Sequence, residues 1–438
     1  MTVRDIALSM LDSYELEGKY VNLLLSSHRA DSLRAEERAS LTALLYTVTE
    51  RKLTYDYYIS SVAKRDKASI DIHTLNILRL GACQIVDMCS IPDFAAVNET
   101  VNLARGKGER AFVNAVLRKI ALLKKTGELP LPDRAKNPAR YLSVYYSFPL
   151  WLTKHFVSLL GEDGAEALLS RFNIHDSTDI TVNTSVISRE EYIRMLGDAG
   201  YSAEPSGISS VSVRIFGSCD PKRLPGFAEG LFFVQDTASA VAVLALAPKP
   251  GDRIIDVCAC PGGKSFASAA ITENKAEILS LDLHESKLSL IESGAKRLGF
   301  SSIRIGSADA VIGKEELFGK FDKLICDAPC SGLGVLGKKP DIRYRDEAGL
   351  SELPELQYKI LDSSSRYLRQ GGEMIYSTCT LNPMENEEVV RRFLDTHHDF
   401  SSVEFEVGGL ISTNGMITLY PHINNTDGFF VAKLRKNS

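Results

Sequence analysis

The chain has 438 residues, 44% hydrophobic and 24% charged, a balance that excludes wholesale disorder. No apolar run approaches the ~20 residues that span a bilayer. Residues 1–17, with acids at Asp5, Asp12, Glu15 and Glu17, lack the basic start, apolar core and cleavage site of a signal peptide, so a cytoplasmic location is expected, with the eight cysteines mostly free thiols.

Residues 1 to about 125 read as helices throughout. Ile6, Leu8 and Leu11, then Leu23–Leu25, are apolar at helical spacing, and Leu41, Leu44, Leu45 and Val48 repeat an i, i+3, i+4, i+7 stripe. Leu75, Ile77, Leu78 and Leu80, then Val97, Val101 and Leu103, continue it. Pro92 is the one proline in this stretch, which suits a helical bundle. The net charge of −5 is unevenly spread: residues 1–140 hold 21 Lys and Arg against 17 Asp and Glu, a net of +4, so the remainder sums to −9. Between 101 and 125 lie seven basic residues (Arg105, Lys107, Arg110, Arg118, Lys119, Lys124, Lys125) and one acid, Glu109. Such a stripe is either a polyanion-binding face or a solvated helix face.

Thr126–Pro132 and Asn137-Pro138 are rich in breakers and mark a linker. From about 140 to 230 the pattern is mixed: a helix from Leu152 to Phe172, a short strand at Ile180–Val182, a helix from Glu190 to Leu196, and a Gly/Ser/Pro-rich stretch from Pro205 to Gly230. Beyond Phe232, apolar runs alternate with helical patterns. The runs are Arg253–Val257, Glu277–Asp282, Ser302–Ile305, Lys323–Cys326 and Glu373–Ser377, which implies a parallel sheet with helical crossovers. Met416–Leu419 and Gly428–Ala432 read as a closing antiparallel pair. The fold predicted is multidomain: an all-α bundle over 1–130, a small α/β linker subdomain over 140–230, and a Rossmann-like α/β domain over 231–438.

The first strand of that last domain runs into Asp256-Val-Cys-Ala-Cys-Pro-Gly-Gly-Lys264 and a small-residue helix, Ser265–Ala270. Glycines at this turn let a ligand approach the backbone. Asp282 ends the second strand, where a doubly wound fold places an acid on ribose hydroxyls. The dinucleotide spacing G-x-G-x-x-G is absent. Lys264 and the helix N-terminus suit a carboxylate instead, which points to S-adenosylmethionine. Asp309, after the third strand, lies where a carboxylate meets an adenine amino group.

The fourth strand ends in Ile325-Cys-Asp-Ala-Pro-Cys-Ser-Gly332 and the fifth in Tyr376-Ser-Thr-Cys-Thr-Leu-Asn-Pro-Met-Glu-Asn386. In a sheet of order 3-2-1-4-5 these strands are neighbours, so Cys330 and Cys379 flank one pocket. Two thiols beside a methyl donor suit C5 methylation of a pyrimidine. A thiolate adds at C6 and makes C5 nucleophilic, and a second thiol assists proton removal and release. Asp327 is placed to bind the N3/N4 edge of cytosine. Zinc held by Cys258, Cys260, Cys326 and Cys330 is the competing reading, but the spacing is poor and no metal is expected. Cys83, Cys89 and Cys326 read as buried core thiols.

On these motifs, with Pro340-Asp-Ile-Arg343 and the continuation to Glu387, the sequence resembles the bacterial 16S rRNA (cytosine-C5) methyltransferases. Val97-Asn-Glu-Thr-Val101 and Phe112-Val-Asn-Ala-Val-Leu-Arg118 resemble the NusB-type helical RNA-binding domain that such enzymes carry, and Gln235-Asp236-Thr-Ala238-Ser239 resembles the family segment leading into the first strand. The resemblance implies Cys379 as nucleophile, Cys330 as release-assisting thiol, and Asp327 beside them. It implies a site for S-adenosylmethionine, leaving as S-adenosylhomocysteine, at Cys258, Ala259, Cys260, Pro261, Gly262, Gly263, Lys264, Asp282, Asp309 and Asp327. The implied substrate is RNA, with cytosine 967 of 16S rRNA as target. Arg110, Arg118 and Lys119 on the helical stripe, and Lys338, Lys339, Arg343 and Arg345 past Cys330, are the candidate RNA contacts. No membrane or DNA partner is expected, and a monomer is the default. A tRNA substrate and a non-catalytic NusB-like RNA-binding factor are the alternatives. The sequence departs from the family at Cys260, where Ala is usual, in Ser-Gly-Leu-Gly334, where a Thr is common, and at Thr181, where Arg is frequent.

Overall fold

The computed structural model describes residues 2–25, 33–217 and 219–437. The chain divides into two compact units, Met1–Asn173 with Leu336–Arg345, and Ile174–Val335 with Asp346–Ser438.

The helical unit contains α1 (Val3–Glu17), α2 (Val21–Leu25), α3 (Ala35–Glu50), α4 (Lys52–Ala63), α5 (Ile72–Val86), α6 (Asp93–Val101), α7 (Lys107–Thr126), α8 (Pro138–Tyr146) and α9 (Leu150–Phe172). Local chemistry fixes several ends. Thr2 and Asp5 form a capping box at the start of α1, and Gly127 closes α7 at φ 73°. Helix α7 buries Val113, Val116, Leu117 and Ile120, one helical stripe, against a core that includes Leu41, Leu45, Ile77, Leu78 and Leu80. Helices α8 and α9 lie in this unit. Polar contacts join α8 and the turn after it to α4: the Thr54 hydroxyl donates to the Val144 carbonyl at 2.6 Å, and the Leu53 N–H donates to Ser147 Oγ at 3.1 Å.

The second unit opens with a four-stranded antiparallel sheet of order β2-β3-β1-β4, from β1 (Ser177–Val182), β2 (Ala203–Pro205), β3 (Ser212–Phe216) and β4 (Phe232–Val234), with α10 (Arg189–Asp198) packed on it. After α11 (Thr237–Leu246) comes the main sheet. Its parallel part follows the predicted order: β7 (Ile303–Ser307), β6 (Glu277–Asp282), β5 (Arg253–Asp256), β8 (Phe321–Asp327), β9 (Leu368–Thr378). Helices α12 (Gly263–Ile271), α13 (Glu285–Leu298), α14 (Leu353–Ser365) and α15 (Glu387–Thr396) accompany these strands, and apolar clusters fill both faces. Strand β14 (Phe429–Lys436) adds antiparallel to β9 and pairs with β13 (Met416–Leu419), as expected of the closing pair. Beyond it lies β10 (Phe400–Ser402), and β11 (Glu406–Val407) and β12 (Leu410–Ile411) form a separate hairpin. Cys83 and Cys326 are buried core thiols, but Cys89 is exposed. It sits in the short connection after α5, outside the packed helices.

Candidate active site

The carboxyl ends of the five parallel strands collect the motif residues, as an open α/β sheet requires. At the end of β5 the chain turns through Cys258, Ala259, Cys260 and a cis Pro261, and enters α12 at Gly263. Gly262 has φ 113°, open to glycine at little cost, and a Cβ there would lie 2.4 Å from the Phe266 ring. Asp282, half-buried at the end of β6, ties this turn down: Oδ2 accepts the Cys260 N–H at 3.2 Å and Oδ1 accepts the His284 N–H at 3.0 Å. Asp309 follows β7, half-buried, and Oδ1 accepts the Val311 N–H at 2.8 Å. Both carboxylates keep acceptor capacity beyond these bonds.

The donor set fits an adenosine-bearing ligand: two half-buried carboxylates at the tips of β6 and β7 beside a glycine turn that opens a helix. Lys264, expected beside the cofactor, makes a contact within the protein as well. Its ammonium is buried and paired with Asp327 Oδ2 at 2.6 Å, over the Phe429 ring at 5.0 Å. A buried ammonium is satisfied by the nearest carboxylate, and Asp327 at the end of β8 is that group. Beneath lies Asp256, almost fully buried, whose Oδ2 accepts the Ser265 hydroxyl at 2.8 Å. Burial pushes its carboxyl up to about 7, against the lowering pull of Ser265 and Lys264.

Strands β8 and β9 pair in parallel, with Asp327 opposite Ser377, and the Ser377 hydroxyl donates to Asp327 Oδ1 at 2.8 Å. The loops that follow bring Cys330 Sγ and Cys379 Sγ to 3.2 Å of each other. Ser331 Oγ and Thr380 Oγ1 lie 2.6 Å apart, and the Gly334 N–H donates to the Cys379 carbonyl at 2.9 Å. Gly334 has no alternative, since a Cβ would fall 1.9 Å from the Gly428 carbonyl oxygen. The Cys330 thiol is raised well above its usual value, first by its hydrogen bond with Cys379, then by burial, then by the charges of Cys379, Glu385 and Asp327. Burial likewise pushes the Cys258 and Cys326 thiols up, which makes them poor nucleophiles.

The RNA candidates divide. Arg110, Arg118 and Lys119 are exposed on α7, and Lys338, Lys339 and Arg345 are exposed in the segment that belongs to the helical unit. Arg343 does not fit its assignment as a phosphate contact. It is fully buried within the helical unit, its guanidinium 3.1 Å from Glu50 Oε1 and 4.0 Å from the Phe148 ring centroid. Thr181 is also fully buried and donates to Gln235 Oε1 at 2.9 Å, so its side chain faces the protein interior. Two participants escaped the sequence reading. The Lys264–Asp327 pair was visible only as two separate motif residues, and Glu385 sat unremarked inside the Cys379 motif.

This fold, with carboxylates at the tips of β6 and β7 and two facing thiols beyond β8 and β9, defines a methyltransferase of the class that works on nucleobases. Residues 243–435 match the 16S rRNA methyltransferase RsmB/F family model, residues 1–122 the NusB family, and residues 148–221 a ferredoxin-like domain of RsmF/B-like methyltransferases. The chain is 33% identical to a probable ribosomal RNA small subunit methyltransferase B of Bacillus subtilis, covering 99% of each, and 33% identical to one of Synechocystis, covering 100% of each. The crystal structure of PH0851 superposes with a TM-score of 0.79 at 26% identity, covering 100% of this chain and 99% of that one. That of NSun6 from Pyrococcus horikoshii with SFG gives 0.60 at 25% identity, covering 67% and 99%. The chain belongs to the RsmB/F family of 16S rRNA methyltransferases.

Proposed function

We propose that this protein transfers a methyl group from S-adenosylmethionine to C5 of a cytosine in small-subunit ribosomal RNA, through a covalent bond between Cys379 and C6 of the base. The observation that carries this reading is the 3.2 Å separation of the Cys330 and Cys379 sulfurs at the ends of adjacent strands. When bound, the cofactor supplies an electrophilic methyl; Asp282, Asp309 and the turn from Cys258 to Gly263 are the residues that would hold it.

The chain's own groups then account for the chemistry on the base. Cys379 gives its proton to solvent and adds to C6 as the thiolate, directing electron density to C5, while Cys330 keeps its own proton. Asp327, fixed by Ser377 and Lys264 at the end of β8, offers an acceptor to the cytosine amino edge. Once Cys379 is bound to C6, its charge and hydrogen bond no longer hold the Cys330 proton. Cys330 gives that proton to solvent and takes the one from methylated C5. The C6–S bond breaks and Cys379 leaves as thiolate. A base inside structured RNA must first be extruded, and the exposed cations of α7 suit the flanking phosphates.

Cytosine 967 of 16S rRNA is the target that the family resemblance supports, and RNA of the small subunit is what the relatives' names support. Bisulfite mapping of 16S rRNA and tRNA from cells with and without the gene tests it. A single protected cytosine in 16S rRNA that disappears with the gene is the expected result. A change confined to tRNA refutes the substrate, and no change in either refutes the activity.

A further inference from the structure

Beyond the thiols and Asp327, the side chain of Glu385 contacts both cysteine loops. Glu385 lies in the turn after Cys379 and is fully buried. Both of its oxygens accept hydrogen bonds: Oε2 from the Ser331 N–H and from Gln357 Nε2, each at 2.9 Å, and Oε1 from Asn382 Nδ2 at 3.0 Å. Gln357 also donates to the Pro329 carbonyl at 3.0 Å, so Glu385 and Gln357 together hold the residues on either side of Cys330. The backbone of Glu385 is fixed as well. The Tyr376 hydroxyl donates to its carbonyl at 2.6 Å, and its N–H donates to the Asn382 carbonyl at 3.0 Å.

Resting on the two-thiol reading above, we propose that Glu385 is a positioning residue for methyl transfer: its buried carboxylate ties the Cys330 loop to the Cys379 turn, and its charge acts on the Cys330 side of the site. The tie follows from connectivity. Ser331 is the next residue after Cys330, Asn382 lies three residues after Cys379, and Gln357 comes from α14. Glu385 is the node where these three segments meet, and a loose node would let the sulfurs drift from 3.2 Å. The electrostatic part follows from the partners. All three side-chain bonds come from neutral N–H groups, which satisfy the oxygens without cancelling the charge, so its field persists in a low-dielectric interior. The raised Cys330 thiol includes that field among its causes. An acid this deeply buried is otherwise hard to account for, because an amide or apolar side chain would fill the space at lower desolvation cost.

The test is cysteine alkylation by iodoacetamide, mapped by peptide mass spectrometry across pH, on the full chain and on Glu385→Gln. The variant is expected to move the Cys330 alkylation midpoint down by about one pH unit or more, with Cys89 unchanged as an internal reference. An unmoved midpoint in a variant that melts like the parent overturns the electrostatic role. Gln357→Met keeps the charge but removes one tie. It should lower turnover while leaving the Cys330 midpoint in place, and a variant with full turnover overturns the positioning role, whether or not Glu385→Gln folds. Because alkylation needs neither RNA nor cofactor, failure of this proposal is separable from failure of the assigned activity, which would show as no methylation by the parent chain.

Discussion

Replacing Arg343 with Met should unfold the helical unit at markedly lower denaturant without touching any exposed surface. The guanidinium is fully buried and bonds Glu50 Oε1 and the Leu336 carbonyl at 3.1 Å, with longer contacts of 3.4 Å to the carbonyls of Glu50 and Phe172. Methionine keeps much of the volume but takes one charge from a pair whose other member, Glu50, is itself 8% exposed. Breaking a buried pair from one side costs about 3–5 kcal/mol. With a urea dependence of about 2 kcal/mol per M, the midpoint should fall by about 1.5–2.5 M. The chain's single tryptophan, Trp151, lies on α9 in this same unit, so its fluorescence is a probe of that unit. Adding Glu50→Gln should restore part of the loss, because the stranded carboxylate is then neutral. A single-variant shift below about 0.5 M, or a double variant no better than the single, refutes the argument that this pair secures the segment.

The parallel sheet was legible because each buried strand is a short apolar run bounded by turn residues, a signal carried by the strand itself. Its order follows from the chain rule for doubly wound sheets, which also puts Cys330 and Cys379 side by side. The candidate cofactor carboxylates were readable for the same reason, since strand ends are fixed once strands are. What escaped the sequence is pairing over distance. Arg343 stands among Lys338, Lys339 and Arg345, and charge pattern gives no sign that its partner is a glutamate 293 residues away. Lys264 and Asp327 stand in separate motifs, and nothing in the spacing shows that their side chains pair at 2.6 Å. Glu385 was invisible as a functional group for a related reason. A buried acid satisfied by amides has no sequence signature, only a three-dimensional one.

Four further outcomes are expected. Asp282→Ala should weaken S-adenosylmethionine binding by calorimetry at least tenfold, since the acid also braces the Cys260 turn, and unchanged affinity would refute its place in the site. Neutralising Arg110, Arg118 and Lys119 together should flatten the salt dependence of RNA binding by roughly 0.9 per lost phosphate contact, and an unchanged slope makes α7 a solvated face. Burial opposes ionisation of Glu373, but Lys323, Arg435 and Lys433 outweigh it and hold its carboxyl down at about 2. Its contribution is therefore present above its usual 4.5 and lost as pH falls from there toward 2, so Glu373→Gln should lower stability at neutral pH but not at pH 2 in acid denaturation scans. The last outcome separates the thiols. Cys379→Ala has no sulfur to add at C6, so C5 is never activated and no adduct forms. Cys330→Ala keeps the attacking sulfur, methylates the base, and then lacks the group that takes the C5 proton. The C6–S bond therefore persists, and a protein–RNA species should survive denaturing electrophoresis when cofactor is present. Both variants lose turnover, so activity alone cannot tell them apart; the gel can. A trapped species with Cys379→Ala and none with Cys330→Ala would reverse the two roles, making the sulfur after Pro329 the nucleophile.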